Sequence, residues 1–163
     1  MPSATKIFTE LTGRLDYPML VVTAAASDEL AGCLVGFSTQ CSIDPARFLV
    51  CISDKNRTFE LAQRSDALAV HFLGADAADL ARLFGGQTGD ELDKFSRCRW
   101  HAGPHGLPII DRCDRWFAGR ILDRRELGDH WGYLLEPFAA QDAGGGDNLA
   151  FSQVKQLTPG HEA

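Results

Sequence analysis

The sequence predicts a mainly β fold, a barrel of six or seven strands with short helical additions. Three observations lead there. Six apolar runs have strand length and are rich in Val, Ile, Phe and Leu, only two or three short segments have helical composition, and the spacing does not suit alternating βαβ units. Neither a GxGxxG after a strand nor a GxxxxGK loop is present, so the usual phosphate-cradling turns of α/β nucleotide-binding folds are missing.

The elements follow in order. After a polar first segment, Pro18 to Thr23 (PMLVVT) reads as a strand. A turn-like Ala-Ser-Asp-Glu stretch leads to Ala31 to Phe37 (AGCLVGF), and the two form a hairpin. Gly32 and Gly36 inside the second run point to close approach by another backbone or a ligand. Ser42-Ile43-Asp44-Pro45 is a turn, because Pro45 pushes Asp44 out of helical space. Phe48 to Ser53 is the third strand. Thr58 to Arg64 is helical with Thr58 as its cap. Ala67 to Leu73 is a continuous apolar strand, expected to be buried on both faces.

Asp76 to Phe84 is a helix capped by Asp76, with Leu80, Leu83 and Phe84 on one stripe and Gly85-Gly86 as its stop. Residues 86 to 106 are polar and irregular. Trp116 to Leu122 and His130 to Phe138 are two more strands across a charged connection, Asp123 to Asp129. Gly144 to Gly146 is a flexible break, and Asn148 to Leu157 is a last short element packed on this subunit or on a partner. The expected organisation is one domain over 1–163, with a barrel core over about 17–138 and a C-terminal extension over 141–163.

Composition narrows the function. The chain has 163 residues, 45% hydrophobic and 23% charged, so it has the makings of a packed core. A net charge of −6 argues against nucleic acid, whose phosphates call for a basic face. The opening MPSATKIFTE has no apolar signal-peptide region, and no apolar run reaches the ~20 residues of a membrane helix. A cytoplasmic location without membrane association is the expectation. Five cysteines, an odd number without a CxxC pair, read as free thiols in a reducing compartment.

Two segments carry candidate chemistry. Gly32 to Pro45 (GCLVGFSTQCSIDP) is a strand and a connection rich in small residues, which leaves backbone N–H and C=O groups uncovered for the edge of a flat heterocycle; an ordinary strand and turn is the alternative. Lys55-Asn56-Arg57-Thr58 opens a helix with two cations and a hydroxyl, which suits a phosphate; a solvated basic turn is the alternative. A third constellation, Cys98, His101, His105 and Cys113, has zinc-ligand residue types. Its last spacing is irregular, however, and Arg97, Arg99, Arg112 and Arg115 crowd it with positive charge, so no metal is assigned.

Several short stretches occur together in order: Ser42-Ile43-Asp44-Pro45, Asn56-Arg57-Thr58, Val70-His71-Phe72-Leu73, Leu80-Ala81-Arg82-Leu83-Phe84 and Gly128-Asp129-His130. Over residues 17 to 138 this set resembles the flavin-reductase-like family of FMN-binding split barrels. The resemblance implies a split β-barrel of Greek-key type, non-covalent FMN, NAD(P)H-dependent flavin reduction, a homodimer, and a separate oxygenase that receives the reduced flavin. It places the isoalloxazine on Leu34, Val35, Gly36, Phe37 and Ser38 with Cys41 and Ser42 alongside, and the phosphate on Lys55, Asn56, Arg57 and Thr58. His130 falls near flavin and nicotinamide, as an orienting or proton-donating group. Trp131 is the tryptophan expected closest to the ring.

The chain departs from the pattern as well. Leu34, Gly36 and Phe37 stand where many reductases carry Thr, Ser and Ser. Ala46 replaces a second proline, Leu135 a glycine and His71 an asparagine. The resulting apolar pocket would also suit FAD, a deazaflavin or haem, and a flavin- or haem-binding protein without turnover is the alternative from another class.

Overall fold

A computed structural model describes residues 1–86 and 93–156. The helices are α1 (Ala4–Thr12), α2 (Arg57–Ala62) and α3 (Ala78–Gly85), and the strands are β1 (Leu20–Ala26), β2 (Glu29–Val35), β3 (Ser38–Ser42), β4 (Arg47–Ser53), β5 (Ala67–Phe72), β6 (Trp100–Ala102), β7 (Pro108–Ile110), β8 (Arg115–Glu126) and β9 (His130–Asp142). Seven strands form one antiparallel sheet in the order β2-β1-β5-β8-β9-β4-β3, and β6 pairs with β7 apart from it.

The two edge strands are neighbours in sequence, separated only by Gly36 and Phe37. The sheet therefore has to curl until its edges approach, without those edges pairing. This is a split barrel rather than a closed one.

Side-chain alternation fills the curl. Leu20, Val22 and Ala24 of β1 meet Leu68 and Val70 of β5, Val50 and Ile52 of β4, and Tyr133 and Leu135 of β9, with Leu61 and Ala62 of α2 closing one end. Leu20, Leu68 and Leu135 are each 0% exposed, and each such burial contributes about 1.5–3 kcal/mol. The intervening residues of β1 and β5 face outward but not into water. Val21 and Leu73 lie under α3, Ile110 and the C-terminal segment, while Ala67 and Ala69 lie under Leu107 and Ile109. Burial of β5 on both faces follows from this second layer.

The predicted strands are all present, with shifted ends. The β1–β2 hairpin turns at Ser27 and Asp28, both with positive φ (51° and 64°), as a two-residue hairpin turn demands. β2 stops at Val35, short of Phe37. Four elements lie where no strand or helix was expected. β3 is polar and mostly exposed, and pairing with β4 holds it rather than burial of its side chains. β6 and β7 fall in or just after the stretch read as irregular. α1 buries no residue at all, and Ile7, Phe8 and Leu11 on it are exposed.

Two helix caps differ from expectation. Thr58 is 0% exposed and turns into the core, so Asn56 caps α2 by accepting from the Thr58 N–H at 2.9 Å. α3 begins after Ala77, which has no capping side chain, because Asp76 belongs to the preceding turn closed by Ala77 N to Gly74 O.

The segment after Gly146 packs on this same chain. Met19 N donates to Leu149 O, Leu149 N to Leu73 O, and Phe151 N to Tyr17 O. Leu157, the expected end of that element, lies outside the described residues. No helix among the described residues is long and apolar enough to cross a membrane.

Candidate flavin site

The short link between β2 and β3 meets the β4–β9 pair. Phe37 O accepts from Cys51 N at 2.9 Å, and Ser38 pairs with Val50. At the far end of β4, Ser53 pairs with His130, the first residue of β9, and Asp54 N donates to Asp129 O at 3.0 Å. The register of one strand pair thus brings three distant pieces of sequence together: Gly36 to Ser38, Asp54 to Asn56, and Asp129-His130.

Alternation along β9 decides which side chains face this cleft. Trp131, Tyr133 and Leu135 point into the barrel core, where Trp131 packs on Phe59 at 5.5 Å. His130 lies on the opposite face with its ring 5.1 Å from that of Phe37. Trp131, expected nearest the ring, therefore serves the core instead. Phe37 is 55% exposed and offers an apolar face at this point.

His130 Nδ1 lies 2.7 Å from Asp129 Oδ1. A carboxylate only accepts, so Nδ1 carries the proton and donates. The hydrogen bond from His130, then its charge and that of Lys55, hold the Asp129 carboxyl below its ordinary pKa. Lys55, whose charge acts on Asp129, is exposed.

The remaining expected residues divide. Leu34 is half-buried against the C-terminal end of α3, where a Cβ on Gly85 would meet it at 2.6 Å. Val35 is 3% exposed and belongs to the core. Cys41 is exposed at the irregularity where β3 slips register between Gln40 and Ser42, and Ser42 is half-buried. Arg57 forms ion pairs with Glu29 and, at 3.6 Å, with Glu60. Thr58 Oγ1 is buried next to the Cys33 thiol, and Asn56 Oδ1 holds the Thr58 N–H. Of the four residues expected at a phosphate, Lys55 and Arg57 thus present charge, while Thr58 faces inward.

Gly36 and Gly32 have a simpler explanation than a ligand. A Cβ on Gly36 would lie 2.5 Å from the Tyr17 ring, and one on Gly32 would lie 2.8 Å from Phe84. Tyr17 in turn stacks on Phe151 at 4.7 Å and sits 6.3 Å from Phe37. Tyr17 and Phe151 are thus site neighbours that the sequence did not reveal; the one available signal was a glycine with no room beside it.

Lys94 was missed as well. It is 4% exposed, donates from Nζ to Gly32 O (3.1 Å) and Phe84 O (2.9 Å), and lines a cavity of about 440 Å³ together with Glu29, Arg57, Thr58 and Trp100. Burial pulls its pKa down.

The cysteine-histidine constellation does not assemble. His101 pairs with Asp111 at 2.7 Å and His105 packs on Phe138, and among the described residues no group of three His, Cys, Asp or Glu is arranged to hold a metal ion. All five cysteines are free; burial pushes Cys33 up to about 11 and Cys113 up to about 12, so neither is a thiolate nucleophile.

Comparison with known proteins follows the same line. The model of the flavin reductase like domain matches residues 12–157. A probable flavin reductase of Rhizobium meliloti is 27% identical over 142 residues, which is 85% of this chain and 44% of that protein. The stachydrine N-demethylase reductase subunit Stc3 of the same organism is 30% identical over 118 residues, 70% of this chain and 50% of that one. The chain thus spans about half the length of these two relatives. FMN reductase (NADH) RutF of Methylorubrum extorquens is 25% identical over 158 residues, 97% of this chain and 77% of that one. Among solved structures, a flavin reductase domain protein from Arthrobacter sp. FB24 superposes with a TM-score of 0.83 at 21% identity, covering 91% of both chains, and shares the fold. From the matched span, and from a split barrel whose register gathers Phe37, Lys55 and His130, the conclusion is that this chain belongs to the flavin reductase like domain family.

Proposed function

We propose that the chain binds FMN non-covalently in this cleft and catalyses its reduction by NADH or NADPH. The observation that carries the reading is the convergence of Phe37, Lys55 and His130 through the Ser53–His130 register and the Asp54–Asp129 hydrogen bond. The residues fit such a group. An exposed aromatic face beside a half-buried imidazole suits a flat heterocycle, and an exposed lysine at the other end of the cleft suits a phosphate. Relatives named FMN reductase (NADH) and 4-hydroxyphenylacetate 3-monooxygenase reductase component support both the chemistry and a separate oxygenase as the consumer.

When bound, flavin supplies the two-electron redox chemistry; the chain supplies position and charge. Phe37 holds the ring plane. Lys55 faces the phosphate. Asp129 fixes the His130 ring so that Nε2 is available to orient the nicotinamide nucleotide or to donate a proton. Exposed Ile7, Phe8 and Leu11 of α1 and Ile43, which is 85% exposed, give the apolar surface from which a homodimer would form. One domain over the whole chain and a cytoplasmic setting complete the proposal.

The test is the absorption spectrum of the purified protein titrated with FMN, followed by NADH and NADPH oxidation. Flavin bands, saturable binding and turnover support the reading. A Soret-type band, or flavin-loaded protein that oxidises neither nucleotide, overturns it.

A further inference from the structure

Three of the arginines that crowd the cysteine-histidine constellation share a groove with Arg82. Arg82 of α3, Arg97 and Arg99 in the segment before β6, and Arg112 after β7 line one groove of about 1080 Å³. Its floor is apolar: half-buried Leu83 and Cys98 lie over Leu80 and Ile110, which are 3% and 1% exposed. Two carboxylates also line it, and both are engaged: Asp79 pairs with Arg112, and Asp111 with His101. Among the described residues Arg82, Arg97 and Arg99 form no ion pair. Elsewhere on this acidic chain Arg47, Arg57, Arg64, Arg120 and Arg125 each find a carboxylate.

We propose that this groove is a docking site for an acidic, amphipathic segment of a partner protein, with carboxylates on Arg82, Arg97 and Arg99 and apolar side chains on the floor. Three guanidiniums with no ion pair among the described residues, clustered on a chain of net charge −6, call for a partner of opposite sign, and arginine beside half-buried Leu83 is the composition of an interface core. The volume stands at the upper edge of the roughly 300–1,000 Å³ of small-molecule pockets, which favours a stretch of chain over a metabolite. The site is independent of the flavin reading.

Fluorescence anisotropy with a short fluorescein-labelled peptide of alternating Glu and Leu tests it. Saturable binding is expected, weakened at least about tenfold by the double change Arg97→Glu with Arg99→Glu, and altered less than about twofold by Arg120→Glu with Arg125→Glu on β8. Arg82→Gln serves as a milder second variant should the double change unfold the chain. No saturable binding, equal loss in both double variants, or equal affinity for a Glu-Ser peptide lacking the apolar anchors overturns the proposal. Displacement of the peptide by equimolar inorganic pyrophosphate would also overturn it, in favour of a small-anion site.

Discussion

His71 makes the stability of this fold depend on pH in a calculable way. The ring is 0% exposed on β5; Nδ1 donates to Val21 O at 3.0 Å, and Nε2 accepts from Ile110 N at 3.1 Å. It thereby ties β5 to β1 on one side and to β7 on the other. A second proton would place an N–H on Nε2 facing the Ile110 N–H, in a fully buried site. Burial, chiefly, lowers its pKa to about 4 from the ordinary 6.5. The unfolded chain takes up this proton near pH 6.5 and the folded chain only near pH 4, so the unfolded state binds more protons between the two. Stability from this group is complete above about pH 6.5 and falls as pH drops toward 4, by about 1.4 kcal/mol per unit, or roughly 2.5 kcal/mol at pH 4.5.

Urea unfolding followed by tryptophan fluorescence, at a series of pH values from about 7.5 to about 4.5, measures the loss. His71→Gln keeps a donor and an acceptor but does not titrate. It should cost about 1–3 kcal/mol at neutral pH through imperfect hydrogen bonds, and lose stability less steeply below pH 6.5. The difference between the two curves isolates His71 from the carboxylates and the other histidines. If wild type and variant decline in parallel from pH 6.5 to 4.5, the buried neutral imidazole is the wrong account.

Other expectations are simpler. Gly36→Ala drives a methyl into the Tyr17 ring and should destabilise by about 1–3 kcal/mol in the same assay, with an unchanged midpoint counting against the packing. Lys55→Gln should weaken FMN about tenfold and leave riboflavin unchanged, since only FMN carries the phosphate; equal loss of both by fluorescence titration would remove Lys55 from that role. Asp129→Ala should leave the flavin spectrum unaltered while lowering the rate of nucleotide oxidation, because the His130 ring loses the acceptor that fixes its orientation; an unchanged rate would remove Asp129 from that role. Asp16→Ala removes the acceptor of two hydrogen bonds from Ser152, so limited proteolysis should release the C-terminal segment before the barrel is cut.

The sequence alone determined the barrel's main strands. β1, β2, β4, β5, β8 and β9 are apolar enough to announce themselves locally, because residues buried on one or both faces have to be hydrophobic wherever the chain later places them. The order of short motifs from Ser42 to His130 was likewise legible along the chain. Structure alone decided what those motifs touch. β3 is held by backbone pairing with β4, which no side chain reports, and α1 buries nothing that could mark it as packed. Thr58 and Arg57 are adjacent in sequence, yet one enters the core beside Cys33 and the other meets Glu29, because successive residues leave a helix at different angles. The meeting of Phe37 with His130, and of Lys55 with Asp129, depends on the register of β4 against β9. Register is a property of paired strands, and one strand's sequence does not contain it.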